Sequence, residues 1–415
     1  MQQADPNLNF QADIIAAKKL LRAQIPDLQA RFDALTRNIE AQVEAIERER
    51  AQAISPVPEV QFADLDHIDA ATVARIKQRG CLVVRGVFDP ARVEKWNSSI
   101  ESYLADNHYL EKEVGKRGID KYFSSLASGK PQIYGVYWSK AQMDARQSEE
   151  LARARRWLNR LWNIDQDGQP VFNPDQECTY ADRVRQREPG DASLGLSPHV
   201  DGGSIERWTD PGYRNVYRHI YGGDASQYDP FAAAYRTETH EIPSPAVCSM
   251  FRTFQGWTAL TPQGPGDGTL NLVPIANAMP WVLLRALQDD IADDELCGAR
   301  AGRALVVSAQ YHALLLRAYG PIPKVQAGDT VWWHPDTIHG VEDKHQGKGY
   351  SNVIYIGAAP DCEKNRIFLA RQRPAFEAGK SSPNFAPEDY EVDFVGRFKP
   401  EDLTPLGRSQ MGYTG

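Results

Sequence analysis

The sequence predicts an α+β protein: a core of short strands, of sandwich or jelly-roll type, buttressed by helices and preceded by an N-terminal helical extension. Three observations point there. Residues 10–50 are rich in Ala, Arg, Glu and Gln and carry one apolar stripe at helical spacing. From residue 170 onward, short apolar or alternating runs are punctuated by Gly, Pro, Asn and Asp. A glycine-rich phosphate loop of the kind that opens a doubly wound sheet is missing.

Taken in order, the first elements are a helix near 11–24 and a longer one over 26–50, separated at Pro26. Leu21, Ile25, Leu28, Phe32, Leu35, Ile39 and Ile46 form the stripe, with one gap at Gln42. It spans only about four heptads, so packing on the chain's own core is favoured over a partner helix. A homo-oligomer through these helices is the alternative. Ser55-Pro56-Val57-Pro58 reads as a linker, dividing an extension over 1–54 from a domain over 59–415. Asp69 is positioned to cap a helix over Ala70–Arg79, which Gly80 closes. Cys81–Val84 reads as a buried strand, followed by a helix over 90–106. Later strands are expected in Thr179–Arg187, Val247–Leu260, Thr269–Pro274, Arg303–Ala309, Asp329–His334 and Ser351–Ala358, with one helix over Ala276–Asp290.

Composition narrows the function classes. The 415 residues hold 47 Lys and Arg against 55 Asp and Glu, a net charge of −8, with 42% apolar and 25% charged residues. That is a globular composition with a large core. A net acidic chain argues against nucleic acid and membrane surfaces as partners. No run approaches the roughly eighteen apolar residues of a spanning helix. Five scattered cysteines without a CxxC argue against a disulfide framework or a thiolate zinc site. With no signal peptide visible at Met1-Gln2-Gln3-Ala4-Asp5, the expected compartment is the cytoplasm.

The chemistry then rests on histidines. Nine histidines and 32 aspartates predict about 0.7 His-x-Asp triplets by chance (9 × 32/415), and three occur. The triplet alone therefore decides nothing; context does. His67/Asp69 is explained by helix capping. His334/Asp336 ends a strand and is stiffened by Pro335. His199/Asp201 follows the Gly190–Pro198 turn and leads into Gly202-Gly203-Ser204, where glycines allow close backbone approach. A metal that activates dioxygen needs two imidazoles and one carboxylate on one face. Residues i and i+2 of an extended segment point the same way, so His-x-Asp suits two of the three. The third ligand comes from a distant strand. His339, at the end of Gly328–Gly340, is the best candidate, and His334 competes with it. His219, His240 and His312 have no comparable context.

His199, Asp201 and His339 together resemble the Fe(II)/2-oxoglutarate-dependent oxygenases. More specifically, the chain resembles their YbiU-like family, related to phytanoyl-CoA dioxygenases. The matching stretches are Gly80–Val87, Asp182–Arg185, Pro198–Trp208, Phe251–Leu260, Gly268–Leu270, Trp332–Val341 and Ser351–Ile356. The resemblance implies a double-stranded β-helix with iron held by His199, Asp201 and His339. 2-Oxoglutarate would chelate that iron and O2 would take the remaining position. The family pattern places an arginine about ten to fifteen residues past the distal histidine, two before a serine or threonine, to take the C5 carboxylate. Here Gly349 holds that position if Ser351 is the serine, and Lys348 beside it is a point charge.

Another strand must then supply the anchor. Arg183, Arg185 and Arg187 alternate along Tyr180–Arg187 and share one face if that segment is extended. Arg185 is the cosubstrate candidate among them; Arg183 and Arg187 are candidates for substrate. On Phe251–Leu260 the same alternation groups Gln255 with Trp257 as cosubstrate contacts. Arg207 and Trp208 are further substrate candidates, with Trp208 as a lid. The expected activity is oxidation, most simply hydroxylation, of a small molecule with release of succinate and CO2. The alternatives are a cupin-like metalloenzyme without 2-oxoglutarate and a non-catalytic metal-binding or scaffold protein.

Overall fold

In the computed structural model, described for residues 10–114, 130–193, 197–245 and 247–413, the chain is a mixed α+β protein with two main sheets. The first residues of the extension and positions 194–196 of the Gly190–Pro198 turn lie outside the described residues. The larger sheet has seven strands in the spatial order Glu59–Gln61, Cys81–Arg85, Thr330–Trp333, Phe254–Ala259, Ser351–Ala358, Val184–Arg187 and Ile133–Tyr134. All neighbours are antiparallel except the first pair. The smaller sheet has five, in the order Leu305–Val306, His199–Val200, His339–Val341, Leu270–Leu272 and Gly320–Pro321.

Side-chain alternation assigns the two faces of the larger sheet. Cys81, Val83, Trp257, Ala259, Val331, Trp333 and Val353 point one way and meet Leu270 and Leu272 of the smaller sheet in one buried cluster. Leu82, Val84, Phe254, Trp332, Ile354 and Ile356 point the other way. They pack against the helices Pro90–Asp106 and Glu149–Asn159 through Val93, Trp96, Ile100, Leu151 and Leu158. A sheet covered on both faces reads as continuous apolar sequence, which is why Cys81–Val84 lacks an in/out pattern.

The N-terminal helices run over Phe10–Gln24 and Leu28–Ala51, interrupted at Pro26 and Asp27. Their stripe is spent on this chain's own core: Leu21, Ile39, Val43 and Ile46 are buried with Val200, Trp281, Val282 and Leu305. The gap in the stripe has a reason. Gln42 stands at the edge and donates to Asn277 Oδ1 at 3.0 Å, while Val43 takes the buried position.

The helix Ala70–Arg79 is capped as expected. The Asp69 carboxylate accepts from Thr72 N, and Gly80 turns the chain out at φ +66°. Several predicted elements are shorter than the runs that suggested them. The strand expected in Thr179–Arg187 covers only Val184–Arg187, that in Val247–Leu260 only Phe254–Ala259, and the helix expected over Ala276–Asp290 only Met279–Arg285. In the first two, the residues before the strand enter irregular segments whose side chains line a pocket. Burial without a ladder partner accounts for the difference.

Candidate metal centre

The smaller sheet aligns the histidines. His199 and His339 are directly opposed on neighbouring antiparallel strands, which brings their ring centroids to 4.4 Å. Asp201, two residues beyond His199, returns its carboxylate between them: Oδ1 lies 3.6 Å from His199 Nε2, and Oδ2 3.5 Å from His339 Nε2. One donor atom from each of the three lies within 4.8 Å of the others. Each imidazole is oriented by its own strand. His199 Nδ1 donates to Ser197 O at 2.6 Å, and His339 Nδ1 to Thr337 O at 3.0 Å. A carbonyl only accepts, so both Nδ1 atoms carry the hydrogen and both Nε2 lone pairs face Asp201.

Burial lowers the His199 pKa, as does His339 beside it, favouring the neutral ring that a metal requires. Burial alone would raise the Asp201 carboxyl, but the adjoining His339 and His199 rings hold it well below the usual carboxylate range. Two neutral imidazoles and one carboxylate on one side of a point are the donor set of a divalent iron or similar metal with open positions. The residues fit the group that the sequence implied.

A buried ion network stands behind the ligands. Arg207 donates to Asp201 O at 3.2 Å and to Asp336 Oδ1 at 2.8 Å. Arg236 takes the other Asp336 oxygen at 3.0 Å, and Tyr217 donates to Oδ1 at 3.0 Å. Burial opposes ionisation of Asp336, yet Arg236 and Arg207 hold its pKa well below the usual range. The third His-x-Asp triplet thus ties the Asp201 loop to the turn entering His339. His334 is fully buried and stacked on Trp162 with centroids 4.8 Å apart. Its Nε2 donates to Pro230 O at 2.9 Å, and its Nδ1 accepts from Asp336 N at 3.0 Å. Both nitrogens are taken, and His334 is no competitor for a metal.

The glycines after Asp201 answer to something other than a metal. Gly202 has φ +88°, and a Cβ at Gly203 would lie 2.7 Å from the Tyr213 ring, whose hydroxyl accepts from Gly203 N at 2.8 Å.

One pocket contains all three ligands together with Arg183, Arg185, Gln255 and Trp257. Gln255 Oε1 accepts from Trp333 Nε1 at 2.6 Å, and the Trp333 ring sits 5.1 Å from His339, bracing both. Arg185 is 2% exposed, and its Nε and one terminal nitrogen have no hydrogen-bond partner in the structure.

Five expected residues do not line this pocket. Lys348 is exposed on the turn before Ser351–Ala358. Ser351 stands opposite Arg187 at the far end of the sheet and donates to Asp267 O at 2.5 Å. Arg187 is fully buried and satisfies the carbonyls of Gly268 and Asp191 at 2.7 and 3.0 Å. Trp208 is fully buried, donating to Leu283 O at 3.1 Å, and has no room to act as a lid. Arg207 is equally buried and lies in the ion network behind the ligands.

The sequence reading missed Arg252, Tyr355, Cys248 and Phe385, all of which line the pocket. Only Arg252 carried a signal: a cation embedded in the apolar run Val247–Leu260. The other three had none, since a buried aromatic or cysteine reads equally well as core.

A family model described as Gig2-like matches residues 8–413. Over 408 residues the chain is 45% identical to the protein YbiU of Escherichia coli strain K12, covering 97% of this chain and 96% of the relative. A crystal structure of a provisionally assigned oxidoreductase from Salmonella typhimurium LT2 superposes with a TM-score of 0.92 at 44% identity, over 99% of each chain. That of GlcNAc Inducible Gene 2 from Candida albicans superposes with a TM-score of 0.82 at 26% identity, over 99% of this chain and 91% of that one.

Proposed function

The chain belongs to the Gig2-like family, and from that premise we propose that it is an oxidoreductase of the Fe(II)/2-oxoglutarate-dependent class acting on a small molecule. The observation that carries the reading is the conjunction of a His199–Asp201–His339 donor set with a buried, unpartnered Arg185 guanidinium in the same pocket. In the same proposal the two facing sheets are a double-stranded β-helix with kinship to the phytanoyl-CoA dioxygenases, and residues 1–54 are an extension of a single domain over 59–415. The apolar layer shared by the sheets supports the first point.

Bound iron with 2-oxoglutarate and O2 would supply oxidation of an unactivated C–H bond, with succinate and CO2 as coproducts. His199 and His339 present Nε2 because their Nδ1 hydrogens are fixed on strand carbonyls. Asp201 supplies the carboxylate, and Arg207 and Asp336 keep its loop in register with His339. Arg185 would take the C5 carboxylate of 2-oxoglutarate through its unpartnered Nε and terminal nitrogen, the geometry for which arginine is suited. Gln255 and Trp257 would flank the cosubstrate from the next strand but one in the sheet; Trp257 Nε1 also lacks a partner. The apolar layer beneath excludes water, which strengthens each of these contacts.

Succinate release measured with Fe(II), 2-oxoglutarate and O2 tests the reading. The wild type releases succinate, and His199→Ala falls to background while remaining folded. Equal metal affinity in His199→Ala and wild type would remove the assigned centre. Tight metal binding without any 2-oxoglutarate binding would replace the oxygenase by a cupin-like metalloenzyme.

A further inference from the structure

The pocket beside His199, Asp201 and His339 holds more positive charge than metal and cosubstrate consume. Its formally charged lining is Asp182, Arg183, Arg185, Asp201 and Arg252. Three arginines, two aspartates, a divalent ion on neutral imidazoles and a doubly charged 2-oxoglutarate leave 3 − 2 + 2 − 2 = +1. Arg183 is paired with Asp182 at 3.5 Å and lies over Phe385. Arg185 is assigned to the cosubstrate. That leaves Arg252, only 8% exposed, which makes no hydrogen bond or ion pair among the described residues. A guanidinium does not shed its charge, so a buried one without a partner is costly unless an anion meets it.

Its placement is built rather than incidental. The Arg252 guanidinium lies over the Tyr180 ring, 4.8 Å from the centroid. Tyr180 is itself fixed: its hydroxyl contacts Cys248 Sγ at 3.0 Å and accepts from Asn384 Nδ2 at 3.3 Å. The Arg252 stem passes over Gly357, where a Cβ would come within 3.1 Å of Cδ. Ring and glycine set the plane of the guanidinium and leave its N–H edge for a ligand. Arg252 also lines the adjoining cleft, where Lys364 is paired with Glu241 at 3.0 Å, and the two cavities share Asp201, Cys248, Arg252 and Gln255. A molecule anchored there lies next to the Asp201 side of the metal centre.

Resting on the oxygenase reading, we propose that the primary substrate is a small anion, carrying a carboxylate or a phosphate monoester, and that Arg252 binds that group. Both offer the paired oxygens that a guanidinium edge receives.

Fluorine NMR on the full chain, loaded with Mn(II) and saturated with 2-oxoglutarate, tests this with trifluoroacetate as carboxylate probe and monofluorophosphate as phosphate probe. Paramagnetic relaxation of one probe by the wild type is expected, weakened about tenfold in Arg252→Met. In that variant 2-oxoglutarate affinity holds to within about twofold, whereas Arg185→Met loses about tenfold of it. The probe that relaxes identifies the anion source. If Arg252→Met does not fold, Arg252→Lys keeps the charge without the fork and gives the same direction. Three results overturn the proposal: no relaxation of either probe, equal relaxation in the Arg252 variant, or loss of 2-oxoglutarate binding in that variant. Should the wild type not bind 2-oxoglutarate at all, the oxygenase reading falls by itself. The probes are then titrated without it, and relaxation lost in Arg252→Met still supports an anion site.

Discussion

Asp336 shows how much a single side chain carries without touching a reacting atom. It is 2% exposed and neutralises two arginines, one of which also holds the main chain of Asp201. Replacing it by Asn leaves Arg207 and Arg236 buried without their carboxylate partner. Removing one partner of a buried charge cluster typically costs about 3–5 kcal/mol, and loosening such support costs about tenfold in metal affinity. Asp336→Asn is therefore expected to lower the unfolding free energy by about that amount in a denaturant titration. It should also weaken Mn(II) binding by about tenfold. Unchanged metal affinity would mean that Asp336 stabilises the fold alone. In the sequence this aspartate belonged to a triplet indistinguishable from chance. Its role came from Arg207 and Arg236, which lie 129 and 100 residues away.

Individual elements were readable where a local pattern sufficed. The helix Ala70–Arg79 has its cap, its period and its closing glycine within twelve residues of sequence. The Asp69→Ala variant should lose about 1 kcal/mol, the value of one N-cap, read as a shift in the denaturation midpoint. The second N-terminal helix follows the same logic on a larger scale. Ile46 is fully buried, so Ile46→Ala should cost about 2–5 kcal/mol, whereas Leu20→Ala, half exposed on the first helix, should stay within about 0.5 kcal/mol. Equal effects would place the stripe against solvent or a partner instead of the Trp281 and Val282 core. The strands were harder to delimit. Val247–Leu260 carries apolar residues along its whole length, yet only Phe254–Ala259 finds a ladder partner. Hydrophobicity reports burial, not pairing.

For the whole molecule, buried neutral histidines set an acid limit. Burial lowers His312 to about 4 and His334 to about 3, the latter also pressed down by Arg236. Both folded values lie below that of an unfolded histidine, so the unfolded chain binds more protons through this range. The stability they contribute is fully present above about pH 6.5 and is lost as pH falls toward 4 and then 3. The slope expected from each is about 1.4 kcal/mol per pH unit. Denaturant unfolding between pH 7 and 4.5 should show this decline, and His312→Leu should flatten it. A flat profile in the wild type would mean that neither ring is held neutral by the fold. Among the described residues no helix is long and apolar enough to cross a membrane.

The sequence by itself determined the α+β composition and the capped and striped helices, and it offered the three residues that converge as a candidate metal donor set, with His334 left as a rival for the third. Each of these is written in spacing: a helical period, an i and i+2 pair, a histidine at a strand end. Tertiary structure alone decided which arginines face the pocket. Arg183, Arg185 and Arg187 alternate identically in sequence, yet Arg187 is consumed by two loop carbonyls while Arg185 is left without a partner. Arg252 showed in sequence only as a cation within a largely apolar run, and Tyr180 and Gly357 place it at the same cavity. The physical reason is that spacing fixes direction along one segment. The partner that satisfies a charge comes from another segment, at a distance in sequence that no local period encodes.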